Sequence, residues 1–269
     1  MDTVYFFVVG WFLMSLSRLE LRTYNSLFIE DVDYKTIETT IKENLIGLCW
    51  GTENEEFYDI NDVIDEFLER FERKSKEQKY GYIGEFLYYL YILHNVEIIK
   101  PVSVFFNQEE RGFKKGFDLL GYDGKEFWYS EVKSGSRDNK NIDEYNMERL
   151  STAYNDIKTK LAYKNRNTNY WDTAKSNICK IKFSGIYDER KEIMKILTED
   201  RNREELSNVI VVSVIFDDSD VLLNIDEIQK KIRVLKQEKK NITIVCIRKK
   251  TVEKVIEILQ GVSSRDERI

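Results

Sequence analysis

Residues 116–135 read GFDLLGYDGKEFWYSEVKSG, two short apolar runs around the turn Tyr122-Asp123-Gly124-Lys125. Asp-Gly between such runs signals a β-hairpin and suits a type I′ turn, which accounts for Asp123 without any chemistry. Side chains on a strand alternate between faces, so Glu131 and Lys133 share one face while Val132 packs behind. Asp118 leads the preceding strand, and a hairpin of this length sets it opposite the end of the next. Glycines at 116, 121 and 135 permit bends and close approach of a backbone or phosphate. The hairpin is thus expected to bring two carboxylates and one ammonium to a single point.

Upstream, Tyr82–His94 (YIGEFLYYLYILH) is apolar on every side and predicts a helix buried beneath a sheet. Glu85 inside it is costly as a charge unless paired or bound to a metal, with a structural salt bridge as the alternative. Asp59 or Asn61 caps an earlier helix running to about Gln78. Val96–Phe106 adds a strand. Downstream, Ile142 to about Leu161, Lys191–Leu197, Asp226–Lys236 and Thr251–Leu259 predict helices. Asn208–Phe216 (NVIVVSVIF) and Ile242–Ile247 (ITIVCI) predict buried strands. Residues 17–60 are mixed in pattern. The order of elements predicts an α/β fold with a mixed central sheet flanked by helices. It forms one domain over residues 1–269, with an N-terminal region at 1–79 and the core and C-terminal strands and helices at 80–269.

Composition narrows the chemistry. Of 269 residues, 42% are hydrophobic and 13% aromatic, enough for a substantial core. Three scattered cysteines (Cys49, Cys179, Cys246) form no zinc spacing and fit idle thiols in a reducing cytoplasm. The lone histidine, His94, excludes two-His zinc sites, and at the end of an apolar helix it reads as structural rather than catalytic. Catalysis must therefore run on carboxylates and lysines. Val4–Leu16 is nearly all apolar but too short to span a bilayer, so no membrane partner is expected. It lacks a basic start and a small-x-small cleavage site; a buried strand or helix is expected there, and Met14 is an alternative start.

The net charge of −6 is unevenly spread. Residues 53–79 carry ten Asp/Glu against five Lys/Arg, whereas residues 158–182 carry seven Lys/Arg against Asp172 alone. Lys158, Lys160, Lys164 and Arg166, interleaved with Tyr163, Tyr170 and Trp171, can neutralise phosphates and stack bases. The same pattern equally fits a solvated loop with a few core aromatics. Lys114, Lys115, Arg137 and Lys140 flank the hairpin and can grip a nucleic-acid backbone, although Lys140 reads more simply as surface charge.

Glu-x-Lys by itself is uninformative in so charged a chain: Glu72-Arg73-Lys74, Glu77-Gln78-Lys79, Glu189-Arg190-Lys191 and Glu238-Lys239-Lys240 all match it. Glu131-Val132-Lys133 differs because it ends the apolar strand EFWYSEVK. Carboxylates there bind hard Mg2+ (or Mn2+) through oxygen, and the metal activates water against a phosphodiester. The expected roles are Asp118, Glu131 and Lys133 as catalytic residues and Glu85, Asp118 and Glu131 as metal ligands. Held near the metal cation, Lys133 is expected to have a depressed pKa and to orient the attacking water or steady the oxyanion. The enzymatic reading requires the three acids to meet around one cation.

Gly84-Glu85, Gly116-Phe117-Asp118 and Glu131-Val132-Lys133-Ser134-Gly135, in that order around one hairpin, resemble the PD-(D/E)xK nuclease superfamily. The resemblance covers residues 80–165 and the strand at 208–216, with Phe117 in place of the motif's proline. It implies a restriction-endonuclease-like α-β-β-β-α-β core with a divalent-metal site shared by the helix acid, the Asp and the Glu-x-Lys. The layout also resembles the nuclease subunit of Hachiman anti-phage systems, which implies DNA as substrate and a helicase partner that restrains the nuclease. The competing expectation is a non-catalytic nucleic-acid-binding or partner-docking module on a nuclease-like fold.

Overall fold

Among the described residues, seven strands form one sheet in the order β1-β2-β7-β6-β5-β4-β3. They are β1 (Phe6–Val8), β2 (Ser26–Ile29), β3 (Lys100–Pro101), β4 (Leu119–Tyr122), β5 (Phe127–Ser136), β6 (Val209–Phe216) and β7 (Ile242–Lys249). A computed structural model describes residues 6–8, 26–29, 34–95, 99–106, 116–162, 169–183, 187–203, 208–219, 221, 223–238 and 242–266. The strands from β1 to β5 across the sheet run parallel, and β4 and β3 add an antiparallel edge. Among the described residues the α-helices are α1 (Tyr34–Trp50), α2 (Ile60–Glu72), α3 (Lys76–Asn95), α4 (Ile142–Leu161), α5 (Asn169–Ile178), α6 (Tyr187–Asn202), α7 (Ile225–Glu238) and α8 (Val252–Asp266). From α3 through β3, β4, β5 and α4 to β6 the expected α-β-β-β-α-β order is present, with α5 and α6 inserted before β6.

Two apolar cores sandwich the sheet. Helices α1, α2, α3 and α8 cover one face with Ile41, Phe67, Phe86 and Val255, meeting Trp128 and Val132 of β5. Helices α4 to α7 cover the other with Leu150, Trp171, Leu197 and Ile228, meeting Phe127 and Tyr129. Strands β6 and β7 are buried in every residue, as parallel strands covered on both faces must be. That is why NVIVVSVIF shows no polar alternation.

Several expectations need correcting. The helix expected from Asp59 to Gln78 is two helices, because Ser75 and Gln78 form a reciprocal cap. The Gln78 amide donates to Ser75 Oγ, and the Ser75 amide donates to Gln78 Oε1. Of the strand expected over Val96–Phe106, only Lys100–Pro101 is strand among the described residues 99–106, and residues 96–98 lie outside the described residues. The hairpin turn is not type I′. Asp123 and Glu126 close it, and only Gly124 has a positive φ (86°), the II′ pattern with glycine first. Asp123 does serve the turn, its carboxylate accepting from Lys125, Glu126 and the Trp128 indole. Among the described residues no helix is long and apolar enough to cross a membrane.

Candidate active site

The site forms where the β4–β5 ladder ends. Leu119 pairs with Ser130, the last paired position of β4, so the Val132 amide has no strand partner on that side. Asp118 takes that place: its Oδ2 accepts from the Val132 amide at 2.7 Å. The next strand over, β6, continues alongside, with Glu131 level with Val211 and Lys133 level with Ser213. Glu131 is thereby fixed in the middle of the sheet and almost fully buried. The hairpin does bring Asp118, Glu131 and Lys133 together.

Helix α4 completes the cluster from the opposite layer. Asp156 and Lys160, one turn apart, present both charges to the strand. Lys133 Nζ donates to Glu131 Oε1 at 3.0 Å and pairs with Asp156 Oδ2 at 2.7 Å. Lys160 Nζ donates to Glu131 Oε2 at 2.5 Å and to the Gly116 carbonyl at 2.9 Å, and lies 3.6 Å from Asp118 Oδ1. Burial, and then the Asp118 charge, push Glu131 up to about 7, with Lys160 and Lys133 holding it from rising further. Burial works to lower Lys133, but the charges and hydrogen bonds of Glu131, Asp156 and Asp118 outweigh it and raise its pKa. The depressed pKa expected for Lys133 belongs to a site with a cation beside it; the acids around Lys133 act the other way and favour the ammonium.

Asp156 was missed, and Lys160 was expected on phosphate rather than inside the carboxylate pair. Their spacing of four on a helix was a readable sign that they share a face. Nothing in the sequence said that this face meets Glu131.

Glu85 stands on α3, which packs on the other face of the sheet, beside Gly84 at the point where α3 approaches β5. It is half-buried, not enclosed, so the argument from a costly buried charge loses force. The Glu85 and Asp118 charges both act, after burial, to raise Tyr89 of α3, whose hydroxyl lies 2.5 Å from Ser103 Oγ. Among the described residues, no group of three or more His, Cys, Asp or Glu side chains is placed to hold a metal ion. The meeting of three acids around one cation, which the enzymatic reading was expected to require, is not observed; what remains is the pair Asp118–Glu131. That pair, with the Gly116 carbonyl, does hold a cationic centre, the Lys160 ammonium. Its oxygen-only donor set is of the type that hard divalent ions take.

The expected phosphate contacts fare unevenly. Arg137 is committed to structure: its Nε donates to Asp217 Oδ1 at 2.7 Å, and Arg248 holds the other oxygen at 3.2 Å. Lys158 is exposed, with its ammonium 5.7 Å from the Tyr154 ring centre. Lys140 pairs with Glu148, as surface charge should. Lys114, Lys115, Lys164, Arg166 and Tyr163 lie outside the described residues. Trp171 does not stack bases: it is fully buried against Phe117 and Tyr129.

The model of the HamA family matches residues 14–260. Neither the curated proteins nor the solved structures contain a match.

Proposed function

The chain belongs to the HamA family of Hachiman anti-phage defence components, and from that premise we propose that it is the system's nuclease, a PD-(D/E)xK-type enzyme cutting DNA phosphodiester bonds with Mg2+ or Mn2+. The observation that carries this is the convergence of Asp118, Glu131 and Lys133 at the end of the β4–β5 ladder. Asp118 and Glu131 are the residues that would hold the ion, which supplies Lewis-acid activation of water and charge balance at phosphorus. Lys133, kept protonated by its neighbours, donates to a phosphate oxygen and offsets the negative charge that develops there. It is not a base. The Asp118 carboxylate also fixes the backbone of Val132, so the Glu131 and Lys133 side chains are held at a set angle. A restraining partner such as a helicase fits a defence component whose nuclease must stay silent until needed.

Incubation with supercoiled plasmid, with Mg2+ or Mn2+ and with EDTA, tests the activity, alone and with the system's partner proteins added. Nicking or linearisation that requires metal and disappears in Glu131→Ala supports the reading. A second reading is favoured by the Lys160 ion pairs, which satisfy both acids without metal: a non-catalytic docking or nucleic-acid-binding module. Binding that persists in EDTA and in Glu131→Ala, with no cleavage even with partners, establishes that one instead.

The Glu131 shift gives the metal a pH dependence. A divalent ion binds the ionised carboxylate, and a proton competes for it below about 7. Affinity is expected to fall about tenfold per pH unit below that value and to level off above it. Calorimetric titration with Mn2+ across the range checks this, and a flat profile contradicts it.

A further inference from the structure

Three oxygens from separate elements converge on Lys160 Nζ: Glu131 Oε2 at 2.5 Å, the Gly116 carbonyl at 2.9 Å and Asp118 Oδ1 at 3.6 Å. Two carboxylates and a carbonyl are ligands for a hard divalent ion, yet an ammonium holds them. We propose that Lys160 is the resident cation of this site: it holds the Asp118–Glu131 pair in place while no metal is bound, and it must withdraw for a divalent ion to enter. The inference rests on the metal-centre reading above and assigns that centre a built-in competitor.

The need for such a residue follows from burial. Asp118 and Glu131, side by side at the end of the β4–β5 ladder, repel, and a buried carboxylate without a partner is costly. Lys133 serves only the other oxygen of Glu131 and is shared with Asp156. With Glu131 ionised, Asp118, Glu131 and Asp156 against Lys133 and Lys160 leave one net negative charge. Exchanging the Lys160 ammonium for a divalent ion cancels it, so the exchange is electrostatically favourable.

A path out is also present. Lys160 lies in the last turn of α4, and its side chain keeps 17% of its surface exposed. Ile157 and Leu161 are buried and anchor that turn, so the flexible four-carbon stem can swing without moving the helix. The Tyr170 ring, 5.9 Å from Nζ, offers the displaced ammonium an aromatic face. Lys160 is thus a positioning residue, acting through Asp118 and Glu131.

Calorimetric titration of Mn2+ into the purified full chain tests this. Lys160→Met is expected to bind Mn2+ about tenfold or more tighter than wild type, because no charge-assisted hydrogen bonds have to be broken first. Without metal it is expected to melt lower than wild type, and saturating Mn2+ is expected to restore it. Lys160→Arg keeps the competing charge and binds no tighter than wild type. Equal or weaker binding by Lys160→Met overturns the inference and leaves the metal centre standing. No binding by either protein overturns the metal centre, and the inference with it. If Lys160→Met does not fold, amine labelling of wild type decides. Faster modification of Lys160 at saturating Mn2+ supports displacement, and an unchanged rate overturns it.

Discussion

Lys133→Met is expected to lower metal-dependent DNA cleavage by about 100- to 1,000-fold while leaving the fold nearly as stable as before. The two parts of this expectation come from the two partners of the ammonium. Glu131, the buried one, keeps Lys160 on its other oxygen when Lys133 is lost. Asp156 has 47% of its side chain exposed and returns to water at little cost. Loss of a pair with one exposed member costs about 1 kcal/mol or less. Methionine retains most of the stem's volume against the strand. The donor, however, has no replacement on the same strand face, so a developing oxyanion is left without its nearest cation. Cleavage rate and melting temperature measured side by side decide the matter. A purely structural ion-pair network predicts the reverse pattern, with the melting temperature falling and any cleavage within tenfold of wild type.

The sequence was most legible where local chemistry and burial agreed. Helix α4 begins and ends where its periodicity says, with Asn141 capping the amides of Asp143 and Glu144. The strands β6 and β7 announce themselves because two-sided burial leaves no room for polar residues. Helix α1 was hidden by its own composition: Thr36, Thr39 and Thr40 sit in its first turns, and Thr39 and Thr40 bond back to carbonyls four residues earlier. Such residues compete with the helix in isolation, and packing of Ile37, Ile41 and Leu45 is what overrides them. The break between α2 and α3 was readable, since Ser75-x-x-Gln78 is a capping box, but Lys74, Lys76 and Lys79 read as the basic last turns of one helix and concealed the stop. Helix α5 was obscured by lysines, which made core aromatics look like a stacking surface.

The site divides along the same line. Asp118, Glu131 and Lys133 were legible because a hairpin fixes register, and register fixes which side chains meet. Asp156 and Lys160 were not, because a helix pattern reports which residues share a face but not what that face touches. Glu85 shows the converse error. An all-round apolar helix implied burial of its acid, whereas the residue lies half-buried on the opposite side of the sheet from Lys160. The metal reading therefore depends on two carboxylates rather than three, and Mg2+ with one or two protein carboxylates and substrate oxygens is a common arrangement.

Gly84→Val is expected to be the most damaging single change outside the site, costing about 3 kcal/mol and lowering the melting temperature by roughly 6–12 °C. A Cβ at Gly84 would stand 2.4 Å from Ser134 Cβ and 2.5 Å from its Oγ, closer than any real contact. Ser134 cannot yield easily, because its hydroxyl donates to the Tyr80 carbonyl at 2.8 Å and so ties β5 to α3. Helix α3 must therefore lift away from the strand, loosening Phe86 and its neighbours in the core. Helix propensity pulls the other way, since a side chain in place of glycine gains up to about 1 kcal/mol, but overpacking exceeds it. Gly81, one turn earlier on the same helix, supplies the control: a Cβ there meets nothing within 4 Å. Gly81→Ala is expected to stabilise by up to about 1 kcal/mol, since only propensity acts. Thermal or urea unfolding of the two variants separates the effects. Equal, small shifts would mean that α3 does not seat against β5 at Gly84, and the placement of Glu85 beside the hairpin would fall with it.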